Sequence, residues 1–166
     1  MNLLTKRNLA RLIVYPLLLH FFGLVQLWHK NEHDHSLDRY IWGYELLAGK
    51  PIKSRVALVD SMFPLFAAPW SPKGSEVVGF CSPITLSDLK PEVRISRKYW
   101  ESTSDAQQYL LLAHELGHCE FWLMHDNRML SDGCPASLMN EYIPSAECAE
   151  AHFLDYAIEF AQKVRR

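Results

Sequence analysis

The chain lacks an excess of basic residues and lacks closely spaced cysteines. Its 166 residues carry 17 Lys and Arg against 19 Asp and Glu, so no basic face is indicated and nucleic acid is not an expected partner. No two cysteines stand in a C-x-x-C pair, which excludes the spacing typical of structural zinc sites. In an oxidising compartment the four cysteines allow three disulfide connectivities, and the sequence does not choose among them. They are Cys81, Cys119, Cys134 and Cys148.

Long apolar runs are also scarce, with one exception near the N-terminus. Residues 12–28 are apolar apart from His20 and Gln26 and follow Lys6, Arg7 and Arg11, and no small-x-small cleavage site comes after them. This length is the lower limit for a membrane-spanning helix. We therefore predict a signal anchor and linker over residues 1–35, with a cytoplasmic N-terminus. Residues 36–166 would then form the extracytoplasmic domain of a single-pass membrane protein.

Two alternatives for the N-terminal segment stay open. A cleaved signal peptide would leave a secreted or periplasmic protein. A buried helix of a soluble domain is the other, because Pro16 and His20 both weaken the interpretation as a membrane helix.

The rest has the composition of one globular domain, with 49% hydrophobic and 22% charged residues in the whole chain. Apolar residues at helical spacing follow Ser36 and stop at Gly49, which predicts an amphipathic helix. Residues 55–59, 76–81 and 92–96 are predicted strands. The apolar loop over residues 61–74 either lines a cleft or covers the sheet.

Two further helices are predicted. Ser104 and Gln107 form a capping-box pattern ahead of an apolar run over residues 109–113. One long C-terminal helix is predicted from Ser145 onward, with an apolar stripe along one side. His152 lies beside that stripe and is interpreted as structural.

The string His114-Glu115-Leu116-Gly117-His118 carries the candidate chemistry. On a helix, residues four apart share a face, so His114 and His118 can bind one metal ion while Glu115 polarises a water on it. His125 is the predicted third ligand, with Asp126 as the alternative. In a continuous helix His125 would lie about 10 Å beyond His118. The helix must therefore end soon after His118 and the chain must turn back, although no glycine lies between residues 119 and 125.

With Ser137-Leu138-Met139 and a C-terminal helix, this string resembles the metzincin zinc metallopeptidases, most closely the matrixin-like pattern H-E-L-G-H…H…S-x-M. The resemblance covers roughly the last seventy residues. It implies a small zincin-like α/β (α+β) domain with a twisted mixed sheet, an active-site helix and a C-terminal helix. It also implies a Zn²⁺ held by three histidines above a methionine turn.

The chain departs from the family pattern at three places. His125 comes one residue later than in H-x-x-G-x-x-H, and Phe121 occupies the position of the turn glycine. Some metzincins have a tyrosine two residues after the turn methionine, whereas here that position is Glu141 and the tyrosine is Tyr142. No cysteine-switch pattern precedes the domain.

The resemblance predicts a zinc metalloendopeptidase in which Glu115 assists attack of a zinc-bound water on a peptide bond. Its partners would be a peptide or protein substrate, which residues 76–81 would bind at a sheet edge, and the membrane through the N-terminal helix. One alternative is a membrane-tethered binding or assembly protein with a structural zinc, whose fourth ligand would be Asp126, Cys119 or Cys134. The other is a zinc hydrolase of non-peptide amides, such as a cell-wall crosslink.

Overall fold

The fold is known for residues 35–60, 77–82 and 90–165, which a computed structural model of the chain describes. All of them belong to one unit of the chain. The predicted anchor over residues 12–28 and the apolar loop over residues 61–74 lie outside the described residues. None of the helices in the described ranges is long and apolar enough to span a membrane.

Three strands form a mixed sheet, as predicted. They are β1 (Arg55–Val59), β2 (Gly79–Ser82) and β3 (Glu92–Ser96). β3 is central, with β1 parallel on one side and β2 antiparallel on the other. The predicted bounds of β1 and β3 are confirmed, whereas β2 begins three residues later and ends one residue later than the predicted 76–81. Within the described sheet, β2 is therefore an edge strand.

The first described helix, α1, spans Asp38–Ala48 and follows a 3₁₀ turn at His35–Leu37. The predicted apolar side is buried, with Tyr40 and Tyr44 at most 5% exposed. The helix ends at Gly49, whose φ of 72° is left-handed and whose N–H donates to the Glu45 carbonyl at 2.8 Å. Glycine adopts this conformation without the steric cost of a side chain.

Two helices follow β3. The short α2 (Arg97–Ser102), which no sequence signal predicted, is capped by Ser96. The longer α3 (Asp105–Phe121) carries the string from His114 to His118, and its predicted capping box between Ser104 and Gln107 is confirmed. The leucines of α3 at positions 110, 111, 112 and 116 are completely buried. Because α3 runs through the core, its histidines rest on a rigid element.

The C-terminal segment forms two helices, α4 (Ala146–Ala151) and α5 (Phe153–Val164), so the prediction of one continuous helix is wrong. The break falls at His152, which carries no helix-breaking signal of its own. Its ring Nε2 lies 2.7 Å from Asp132 Oδ2, and Cys148 in α4 is bonded to Cys134. These contacts join α4 to a distant loop, and local helix propensity does not encode them.

Together the described residues form an α+β fold.

Candidate metal centre

The structure brings together the three histidines that the sequence singled out. His114 and His118 come from α3, and His125 returns from the segment after it. His118 Nε2 lies 3.0 Å from His114 Nε2 and 3.1 Å from His125 Nε2. His114 is buried, His118 half-buried and His125 exposed, so the group opens to the surface on one side. A single ion can therefore reach all three rings.

Backbone carbonyls determine which ring nitrogens of His114 and His118 are free. His114 Nδ1 lies 2.9 Å from the Leu138 carbonyl oxygen, and His118 Nδ1 lies 2.6 Å from the Leu123 carbonyl oxygen. A carbonyl oxygen only accepts, so each Nδ1 carries the proton and donates it. In the neutral rings both Nε2 atoms then present lone pairs to each other. Lone pairs at this separation repel unless a cation binds them, and this is the arrangement of metal-ligating histidines.

Burial keeps these two rings neutral. It lowers the pKa of His114 to about 4, an effect that the hydrogen bond to Leu138 opposes. Burial also lowers the pKa of His118 below its ordinary value, against the hydrogen bond to Leu123. Neutral imidazole is the form that binds metals. Both rings are therefore in the ligand state at neutral pH.

The donor set fits zinc. Zn–N bonds of about 2.0–2.1 Å in a tetrahedral arrangement place neighbouring nitrogens about 3.3 Å apart, slightly farther than the observed 3.0 and 3.1 Å. Among the described residues, no fourth His, Cys, Asp or Glu joins the group. Three histidines with one remaining coordination position are the ligand pattern of catalytic zinc.

The turn that returns His125 is made by a tryptophan instead of a glycine. α3 ends at Phe121, and Trp122 takes a left-handed conformation with φ of 56° and ψ of 31°. The N–H of Leu123 then donates to the carbonyl of Gly117 at 3.2 Å. This hydrogen bond closes the helix end and leaves the Leu123 carbonyl free to accept from His118. The sequence offered no signal for the position of this turn.

A second turn, Ser137-Leu138-Met139, supports the site from the other side. The Leu138 carbonyl accepts from His114, and the Met139 carbonyl accepts from the N–H of Asp126 at 2.8 Å. Met139 is completely buried. A side chain at Gly117 would come within 2.8 Å of the Met139 sulfur, so the methionine packs directly against α3. The turn thus positions both His114 and the segment that carries His125.

Glu115 is 6% exposed and follows His114 on α3. Burial raises its pKa to about 8, and no charged partner among the described residues contributes to the shift. A cation held by the neighbouring histidines would act in the opposite direction, because an opposite charge favours the carboxylate. Tyr142, the tyrosine that lies one residue later than in some metzincins, is 62% exposed, in contrast to the buried Glu115.

All three residues proposed as a fourth ligand have other partners. Asp126 accepts two hydrogen bonds from the Arg128 guanidinium, at 2.8 and 2.7 Å. Cys119 is bonded to Cys81, and Cys134 to Cys148, which resolves the connectivity that the sequence left open.

Asp132, Cys134 and His152 form a second group whose geometry could hold a metal ion. Its sulfur belongs to the Cys134–Cys148 disulfide. A metal-binding cysteine must be a free thiolate. In this oxidised form the His114, His118 and His125 group is therefore the better metal centre.

No protein family model, curated protein or solved structure matches this chain.

Proposed function

We propose that the chain is a zinc-dependent metallopeptidase of the metzincin type, in which His114, His118 and His125 hold the metal and Glu115 is the general base. The convergence of three histidine Nε2 atoms on one point supports this proposal most directly. The carboxylate of Glu115 on the same helix adds the second group that hydrolysis requires. The turn at Ser137-Leu138-Met139, packed under α3, agrees with the metzincin pattern.

A zinc ion held by His114, His118 and His125 would supply Lewis acidity and make a water more acidic and more ready to attack. The chain's own residues orient the histidine rings and transfer the proton. The carbonyls of Leu138 and Leu123 hold the rings of His114 and His118 with Nε2 toward the ion. Glu115 accepts a proton from the attacking water and passes it to the leaving amine nitrogen, which completes cleavage of the peptide bond.

The position of β2 supports a peptide as the substrate. β2 is an edge strand of the described sheet and packs next to α3, with Gly79 against Glu115. An extended peptide can pair its backbone with such an edge. Its scissile bond would then lie beside α3, where the general base is. Residues 79–82 are accordingly the proposed substrate-binding edge.

A catalytic zinc is favoured over a structural one, because the candidates for a fourth ligand are engaged elsewhere. Asp126 pairs with Arg128, while Cys119 and Cys134 are in disulfides. A structural site would have all four positions filled by protein. The remaining coordination position instead suits a water or a substrate carbonyl.

The two disulfides also bear on localisation. All four cysteines of the chain are paired, which is typical of proteins in oxidising compartments. This supports a domain on the extracytoplasmic side of a membrane, anchored through the N-terminal segment, or a secreted or periplasmic domain after signal cleavage.

The test uses the full-length chain in a peptide-library cleavage assay, with metal analysis and with chelator as the control. We expect bound zinc and cleavage that stops on chelation. Glu115→Gln should retain zinc and lose hydrolysis about 10²–10⁴-fold, whereas His118→Ala should lose both. A hydroxamate, which needs an open coordination position, should inhibit.

Other results would contradict the proposal. Zinc binding without hydrolysis or hydroxamate inhibition would indicate a structural site. Cleavage of a non-peptide amide alone would indicate the other class of zinc hydrolase. Normal peptide cleavage by Glu115→Gln would exclude Glu115 as the base.

A further inference from the structure

One face of β2 packs against the face of α3 that carries Glu115. Gly79 and Cys81 are two residues apart and share one face of the strand. Glu115 and Cys119 are four residues apart and share one face of the helix. Cys81 is bonded to Cys119, and Gly79 lies against the Glu115 side chain. Two successive contacts therefore hold strand and helix together in one register.

Gly79 leaves the space that the Glu115 side chain fills. A methyl group at position 79 would overlap the carboxylate oxygen Oε1 and lie 2.8 Å from both Cδ and Cγ of Glu115. Real Cβ contacts are essentially never this close. Any residue other than glycine would thus force the end of the Glu115 side chain out of its present position.

This overlap differs from a clash in a packed core. The atoms in the way all belong to the Glu115 side chain, from Cγ to the carboxylate, and none to backbone. The glutamate must rotate away, which costs some stability because it is buried, and its carboxylate then leaves the place from which it takes the proton. A substitution here is therefore expected to damage catalysis more than stability.

We propose that Gly79 is a positioning residue for the general base: the absence of a side chain at this point of β2, fixed to α3 by the Cys81–Cys119 disulfide, determines where the Glu115 carboxylate sits. The inference rests on the proposed hydrolytic function. It means that hydrolysis requires, in addition to the three ligand histidines, a glycine on the substrate-binding edge opposite the base.

The variant Gly79→Ala of the full-length chain tests the proposal. Its kcat should fall about 10²–10⁴-fold, the usual contribution of a general base. Zinc affinity should stay close to that of the wild type. A role limited to structure would instead lower Tm or zinc affinity and leave kcat per bound zinc unchanged. A folded, zinc-loaded Gly79→Ala protein with wild-type kcat would overturn the proposal, and so would one that has lost its zinc.

Gly43→Ala is the matched control. A methyl group at Gly43 in α1 would also meet the end of a side chain, Tyr109 Cε2, at 2.9 Å. Gly43 is on α1 and Tyr109 on the first turns of α3, outside the proposed site. We expect its kcat to equal that of the wild type. An equal loss of kcat in Gly43→Ala would overturn the specific role of Gly79.

A double variant keeps the test decisive if Gly79→Ala does not fold. Glu115→Ala removes all three atoms that the added methyl group meets. Gly79→Ala should then cost no stability in the Glu115→Ala background, and an equally unfolded double variant would overturn the proposal.

An inactive wild type would refute the proposed function and this inference with it. An active wild type with an equally active Gly79→Ala variant would refute this inference alone.

Discussion

The ring Nδ1 of His114 and the backbone carbonyl of Leu138 are 2.9 Å apart, although 24 residues separate them in the chain. This hydrogen bond orients the first proposed ligand and fixes the nitrogen that it presents to a metal. The acceptor is a backbone atom, so its position depends on the conformation of the turn at Ser137-Leu138-Met139. Residues that hold this turn should therefore affect metal binding without contacting the metal.

Ser137→Ala tests this dependence. The Ser137 hydroxyl is completely buried, accepts from the N–H of Met139 and from Lys163 Nζ, both at 3.0 Å, and donates to Glu159 at 2.9 Å. Its loss should destabilise the fold by about 1–3 kcal/mol, because the buried N–H of Met139 loses its acceptor and the half-buried Lys163 and Glu159 each lose a partner. Zinc affinity, measured by chelator competition, should fall about 10–100-fold.

Ser145→Ala is the control for Ser137→Ala. Ser145 also accepts from a backbone N–H, that of Cys148 at 3.2 Å, as the N-cap of α4. It should lose about 1 kcal/mol of stability with unchanged zinc affinity. Unchanged affinity in Ser137→Ala as well would show that the turn does not position His114.

Trp122 should tolerate glycine better than valine. Its left-handed backbone costs a side-chain-bearing residue about 1–2 kcal/mol, and a β-branched residue is least suited to it. Trp122→Gly should therefore keep zinc and be as stable as the wild type or more so. Trp122→Val should lose stability and bind zinc more weakly, since a shifted turn would move the Leu123 carbonyl away from His118. Thermal denaturation and chelator competition measure both effects.

The opposite order is expected at Trp42, which is similarly exposed but lies within α1. Glycine is the poorer helix residue there, so Trp42→Gly should be less stable than Trp42→Val. The same order at both positions would mean that the backbone of Trp122 does not control the turn.

The two disulfides should contribute similarly to stability and differently to activity. Chain-entropy arguments assign about 4 kcal/mol to Cys81–Cys119, which spans 38 residues, and about 3 kcal/mol to Cys134–Cys148, which spans 14. Replacing the first pair with serine should also lower kcat in molecules that retain zinc, because β2 is no longer fixed to α3. Replacing the second pair should leave kcat per bound zinc close to that of the wild type. Denaturant titration measures the two stabilities and steady-state kinetics the two kcat values. A larger loss of kcat on replacing Cys134–Cys148 than on replacing Cys81–Cys119 would contradict the prediction.

The pair of His152 and Asp132 should make stability depend on pH. Its hydrogen bond to Asp132 raises the pKa of His152 above 6.5, with a smaller effect from Asp155. Hydrogen bonds from the Cys134 N–H and from His152 lower the pKa of Asp132 below 3.8. The raised histidine pKa gives stability that is complete below pH 6.5 and is lost as pH rises through the folded-state value. The lowered aspartate pKa gives stability that is lost in acid, as pH falls through its folded-state value.

Comparing Tm of the wild type with that of Asp132→Asn between pH 5 and 9 measures this contribution. The wild type should be the more stable protein near pH 5–6, and its advantage should shrink toward pH 9. Glu101→Gln, which removes an exposed carboxylate on α2 outside this pair, is the charge control. A pH-independent difference for Asp132→Asn would exclude the ion pair.

Much of the local structure could be predicted from the sequence. The bounds of β1 and β3, the Ser104–Gln107 capping box and the helical stripe of α1 all follow from periodicity and from hydrogen bonds between near neighbours. The approach of His114 to His118 also depends only on near neighbours, since a helix alone brings residues four apart to one face. Such features depend on residues a few positions apart, so the sequence by itself determines them.

Contacts between distant residues were decided by the tertiary structure. Three features depend on segments far apart in the sequence: the disulfide pairing, the break at His152 and the contact of Glu115 with Gly79. The left-handed conformation of Trp122 is local, but no glycine marks its position. The geometry of these contacts depends on how α3 packs between β2 and the turn at Met139, which patterns of near neighbours do not specify. Packing thus placed a third histidine beside the two that the helix had already aligned.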